Sequence, residues 1–170
     1  TLDSRFEGAV QPGNADELET KMVNAFNKAA AAKPESEISY IYIGDHFINK
    51  AVRVNDEREA HAKEMKARTK PGAMASKEDI AKRDMLDKKY SAALDGAREP
   101  YEKAAALFAK KPVSTEKNQA QRDKQQYKKV ASYLADIYAN KRVNAKGKPA
   151  DIAKYTAEEK KWNEVYDSIK

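Results

Sequence analysis

Apolar residues recur along this chain every three or four positions, the period of one face of an α-helix. From Leu18 the series runs through Met22, Val23, Phe26, Ala29 and Ala30 and halts at Lys33-Pro34, with Asn14 or Asp16 placed to cap its start. Residues 1–14 hold Gly8, Pro12 and Gly13 and read as an irregular lead-in. A second series begins at Ser36 or Glu37 with Tyr40, Ile43, Gly44, Phe47 and Ala51. It continues in charged form through Glu57, Glu59, Lys63 and Lys66 to a turn at Pro71-Gly72. Its opening, Ile38 to Ile43, is β-branched and aromatic enough for a strand, but it runs into the helical pattern without a break and is read as helix.

Ser76 and Asp79 have the spacing of a capping box, and a third series follows with Ile80, Leu86, Tyr90, Leu94, Ala97, Tyr101, Ala104 and Phe108. Pro100 falls inside it; because Pro lacks an N–H and crowds the preceding turn, a kink or break is expected near Gly96. Pro112 and Ser114-Thr115 separate a fourth series, Tyr127, Val130, Leu134, Ile137 and Tyr138, which closes at the loop 144–149. A fifth spans about 150–169 with Ile152, Tyr155, Trp162, Val165, Tyr166 and Ile169. The fold class expected is all-α.

Composition narrows this picture. The 170 residues are 41% apolar and 35% charged, so the core must be thin and made of close helix contacts. The 33 basic and 27 acidic residues give a net charge of +6, but the signs alternate along most segments, as on solvated helix faces, and this argues against a nucleic-acid stripe. Cysteine is absent, and no apolar run approaches the ~20 residues of a membrane span. The chain opens on Thr1, which reads as a processed product or an excised piece.

Two internal similarities stand out. The nine residues from Tyr42 to Lys50 align without gaps to those from Tyr133 to Lys141, and Phe26-Asn27-Lys28-Ala29 aligns to Tyr101-Glu102-Lys103-Ala104. These segments resemble the tetratricopeptide repeat, whose pattern is W-x2-L-G-x2-Y on one helix and A-x3-F with a later Pro on the next. Tyr40, Ile43, Gly44 and Phe47 fit the first half. Ala97, Tyr101 and Ala104 fit the second half, and Phe26, Ala29 and Pro34 fit the end of an earlier unit. The layout is similar to repeat regions of exported proteins of Bacteroidetes, in which a segment like Pro100 to Ala104 follows a long charged insertion.

The resemblance implies antiparallel helix pairs stacked as a right-handed solenoid. Residues 15–34 would be the second helix of a partial repeat, 36–112 an extended repeat, and 115–170 a C-terminal repeat. The extended repeat exceeds the usual ~34 residues by about forty, and the excess at 56–96 is expected to form an elongated hairpin. In the last unit, Ala131 and Ala135 replace the first aromatic and the Gly of the pattern.

Candidate chemistry is sparse. There is no phosphate loop or nucleophile elbow, and His46 and His61 are expected to be surface or half-packed residues rather than ligands, so neither catalysis, a cofactor nor a metal is expected. The spacing of Tyr40, Tyr101, Tyr133, Tyr138 and Tyr155 suits core packing better than a stacking platform. From the resemblance, the ligand groove would be lined by Ile41, Asp45, Ile48 and Asn49 in one unit and by Ser132, Asp136 and Asn140 in the other. A protein or peptide partner is therefore expected, and a periplasmic or exported location is implied by the resemblance alone. Two other readings are self-association through the long hairpin and weak binding to an acidic polymer through Lys110-Lys111 and Lys128-Lys129.

Overall fold

The computed structural model of the chain describes residues 13–68 and 74–169, less the side chains of residues 15 and 16. These residues form five helices and no strand: α1 (Ala15–Ala32), α2 (Glu37–Arg68), α3 (Lys77–Lys110), α4 (Lys117–Asn144) and α5 (Pro149–Ser168). None of these helices is long and apolar enough to cross a membrane. The lead-in at 1–12 and the Pro71-Gly72 turn lie outside the described residues.

Each helix runs antiparallel to the one before it, as the cross-helix pairs establish. Lys50 Nζ donates to Glu19 at 2.9 Å and the Phe26 ring stacks on Tyr42, which aligns α1 against the first half of α2. Lys111 donates to Glu37, Tyr101 to Asp45, and Arg58 to Asp87, so α2 and α3 are zipped along most of their length. Phe108 stacks on Tyr127 and Lys141 bonds to Asp95 at 2.6 Å, which aligns α3 with α4. Lys128 Nζ donates to the Ile169 carbonyl at 3.4 Å and lies over the Tyr166 ring, while Tyr138 lies against Tyr155, which aligns α4 with α5.

At ~1.5 Å per residue, the 32-residue α2 is roughly 48 Å long. Beyond Asn55 and Tyr90 the cross-helix bonds of this hairpin among the described residues join its own two helices: Arg58 to Asp87, His61 to Asp79 and Arg68 to Asp79. Its distal seam is narrow, with Val54, His61 and Leu86 buried. Over this stretch α2 and α3 pack only against each other among the described residues.

The main core lies between α2, α3 and α4, with Trp162 contributed by α5. Tyr101, Ala97, Ala104, Val130, Ala131, Leu134 and Ile137 are fully inaccessible to solvent. Small residues permit the close approach. A Cβ on Gly96 would stand 2.6 Å from the Phe47 ring, and one on Gly44 would run into the ring of Tyr101. Between α4 and α5 the chain reverses at Gly147, whose φ of 81° is a conformation that glycine adopts at little cost, and Pro149 then sits in the first turn of α5.

Three local expectations need correcting. The break expected near Gly96 does not occur: α3 is one continuous helix through Pro100, because Ala97, Tyr101, Ala104 and Ala105 on either side are all buried and their packing outweighs the lost backbone bond. At the start of α1, Asn14 occupies the cap position, but its side chain makes no capping bond; its backbone carbonyl accepts from Leu18 N at 3.0 Å instead. At α3 the Ser76 hydroxyl does accept from Asp79 N at 3.0 Å. The Asp79 carboxylate returns to the Ser76 hydroxyl rather than to its backbone N–H.

Candidate functional site: an open cleft between the long hairpin and α4

Where the long hairpin diverges from α4, the side chains leave an open cleft of about 450 Å³. Helix α2 contributes Ile48, Ala51, Val52 and Asn55, successive residues of the face turned toward α4. Tyr90 and Leu94 of α3 close one end. Tyr133, Asp136, Ala139, Asn140 and Val143 of α4, again at helical spacing, form the opposite wall. The floor is therefore aliphatic, the two tyrosines stand at its sides, and the polar groups are few. This balance, at this volume, is typical of sites that receive an apolar group and orient it with a few hydrogen bonds.

The wall is held rigidly from behind. Asp45, one turn before the cleft on α2, accepts a bond from the Tyr101 hydroxyl at 2.7 Å and from Lys129 Nζ at 2.8 and 2.9 Å, joining α2, α3 and α4 at one carboxylate. The Tyr133 ring lies parallel to that of Tyr101, with centroids 5.7 Å apart. Burial raises the Tyr101 hydroxyl far above the ordinary phenol range, and the adjacent Asp45 carboxylate adds to this. Tyr133 is raised in the same direction by burial and then by Asp45 and Asp136. At neutral pH both phenols are protonated donors.

The rim is less fully satisfied. Asn140 Oδ1 accepts from Asn144 Nδ2 at 2.9 Å and lies 3.4 Å from the Ser91 hydroxyl, while its Nδ2 has no bonding partner among the described residues. Asp136 is exposed and has no ion-pair or hydrogen-bond partner among the described residues. Partial burial on its cleft side raises its carboxyl above the ordinary range, and the charge of Glu159 raises it further. At the far end, Asn55 is occupied by Arg58 and Glu59, and the Arg58 guanidinium lies 4.6 Å from the centre of the Tyr90 ring.

The residues expected to line a groove separate in space. Ile48, Asp136 and Asn140 meet in this cleft. Ile41 is buried in the core, and Asp45 points to Tyr101 and Lys129. Asn49 is exposed outside the cleft lining, and Ser132 is half-buried outside it too. Val52, Asn55, Tyr90, Leu94, Tyr133, Ala139 and Val143 were not singled out as groove residues. A signal for some of them was present: Val52 and Asn55 continue the stripe from Ile48, and Tyr133 and Val143 flank Asp136 and Asn140 at the same period.

The histidines also divide. His46 is half-buried, 3.5 Å from Glu19, as expected of a half-packed residue. His61, expected at the surface or half-packed, is instead one of the most enclosed polar side chains among the described residues. Its Nε2 lies 3.0 Å from the Asp79 carbonyl, and its Nδ1 has no partner among the described residues. The tyrosines expected in the core are there: Tyr101 and Tyr138 are buried, and Tyr40, Tyr133 and Tyr155 pack against the cluster. The chain matches no family model, no curated protein and no solved structure.

Proposed function

We propose that this chain is a non-catalytic binding module that holds a peptide segment of a partner protein in the cleft between α2, α3 and α4. The observation that supports this reading is the combination at that cleft of an open aliphatic floor with polar rim atoms, on Asp136 and Asn140, that the described residues leave unused. An occupant would cover the half-buried Val52 and Ala139 and the exposed Val143 while bonding rim groups that the described residues leave to solvent. The tetratricopeptide-like arrangement is part of the proposal. On it, α2 and α4 are the first helices of successive pairs, α3 and α5 the second, and the cleft is the concave side.

The test is selection from a displayed library of random peptides against the full chain, beside a variant carrying Val52→Glu and Ala139→Glu. The two substitutions place carboxylates on the cleft floor near solvent, and circular dichroism checks that helix content is kept. Peptides enriched by the parent and lost with the variant support the reading. Equal enrichment by both, or none by the parent, contradicts it.

A further inference from the structure

The charges around the cleft specify what should occupy it. Most carboxylates near it are answered by a cation: Asp45 by Lys129, Asp87 by Arg58, Asp95 by Lys141 and Glu159 by Arg142. Asp136 is the exception, with no cation within ion-pair distance among the described residues. The neighbour whose charge acts on it is another carboxylate, Glu159. An ionised carboxylate set against an apolar floor and facing a like charge is stabilised by any cation brought to it.

Resting on the docking reading above, we propose that the cleft selects a peptide segment in which an aliphatic side chain is followed closely by a lysine or arginine. The aliphatic group lies on Ile48, Val52 and Leu94, and the cationic head reaches Asp136. Asn140 Nδ2, one turn along α4 on the same face, donates to a backbone carbonyl of the segment. An acidic segment is rejected, since it would bring a third negative charge beside Asp136 and Glu159.

The experiment uses three pools of capped heptapeptides, each with a central Leu flanked on both sides by Lys, Gln or Glu and otherwise containing Ala, Gly and Ser. Each pool is titrated into the 15N-labelled full chain while amide shifts are followed. The Lys pool is expected to move amides of residues 48–55 and 133–143 with a Kd about two- to fivefold below that of the Gln pool, the range of a partly exposed ion pair, and the Glu pool is expected to bind weakest. Asp136→Asn should bring the Lys pool to the Gln pool's Kd, whereas Asp167→Asn, remote from the cleft, should leave the difference intact. Equal affinity of the Lys and Gln pools, or a Lys advantage that survives Asp136→Asn, overturns the cation site while cleft shifts still support docking. The absence of cleft shifts with every pool overturns both.

Discussion

Replacing Gly44 by Ala tests the close approach of α2 and α3 that the whole molecule is built on. Helix propensity alone makes this substitution stabilising, by about 1 kcal/mol in a helix interior. The structure opposes it. A Cβ at this position would lie 2.5 Å from Cδ1 and 2.8 Å from Cζ of Tyr101, well inside contact distance. The ring has little freedom to move aside, because it is fully buried, stacked on Tyr133 and bonded through its hydroxyl to Asp45. Overpacking of this kind costs about 1–3 kcal/mol, and a shift that breaks the bond to the carboxylate costs about 1.5–3 kcal/mol. Relaxation takes one route or a mixture of both, so after subtracting the propensity gain of about 1 kcal/mol the net loss is about 1 kcal/mol.

For a chain of this size that loss lowers Tm by roughly 2–4 °C, read by circular dichroism at 222 nm. Gly96→Ala is the comparison: it meets Phe47, which is only half-buried and so yields more readily than the fully buried Tyr101, and its protein should be more stable than Gly44→Ala. In the double variant with Tyr101→Leu, the effect of Gly44→Ala should be smaller by at least ~1 kcal/mol, a coupling expected of residues in contact. A Gly44→Ala protein more stable than the parent would refute the packing described for α2 and α3.

Four other outcomes are expected. Asp136→Asn should stabilise the free chain at pH 7 by a few tenths to about 1 kcal/mol after solvent screening. The raised carboxyl means that ionisation works against folding, a penalty absent below the unfolded-state value of about 3.9 and imposed as pH rises through the folded-state value. At Glu19, burial pushes the carboxyl up, but Lys50 and His46 outweigh it and hold it low, so Glu19→Gln should cost a few tenths to about 1 kcal/mol at pH 7. That cost should vanish as pH falls from the unfolded-state value of about 4.3 through the lower folded-state value, as urea titrations at several pH values would show. Pro100→Ala should raise stability by about 1–3 kcal/mol in urea, since it supplies an N–H inside a helix that is already continuous. His61→Ala should speed amide exchange in 54–66 and 77–88 by about tenfold or more while leaving 97–108 and 130–138 unchanged, because His61 belongs to the narrow distal seam.

The helices were legible because this chain punctuates them clearly. Pro34, Pro112 and Pro149 fall outside or at the first turn of helices, and the apolar spacing between them never leaves the helical period. Pro100 misled for a physical reason: its effect is local, whereas the burial of Tyr101 and Ala104 that keeps α3 continuous comes from other helices. The enclosure of His61 was hidden in the same way, by a charged stretch whose two halves cover each other only once the hairpin is closed.

The site was legible in part. Period alone puts Ile48 with Val52, and Asp136 with Asn140, on common faces, and the structure brings those faces together in one cleft. It does not reveal that Asp45 turns away, since that depends on Lys129, 84 positions distant, and on a tyrosine from a third helix. Nor could sequence show which carboxylates are paired. Asp95 and Asp136 look alike in the chain, yet only the first meets a lysine.

The most direct test of the cleft as the docking face is photo-crosslinking of the full chain in the cells that make it, with p-benzoylphenylalanine introduced in place of Val52 in one version and of Lys154, exposed on α5, in the other. The account predicts a discrete adduct from position 52 that disappears when Ala139→Glu is added, and none from position 154. An adduct from position 154 alone, or an adduct from position 52 unaffected by Ala139→Glu, would contradict it.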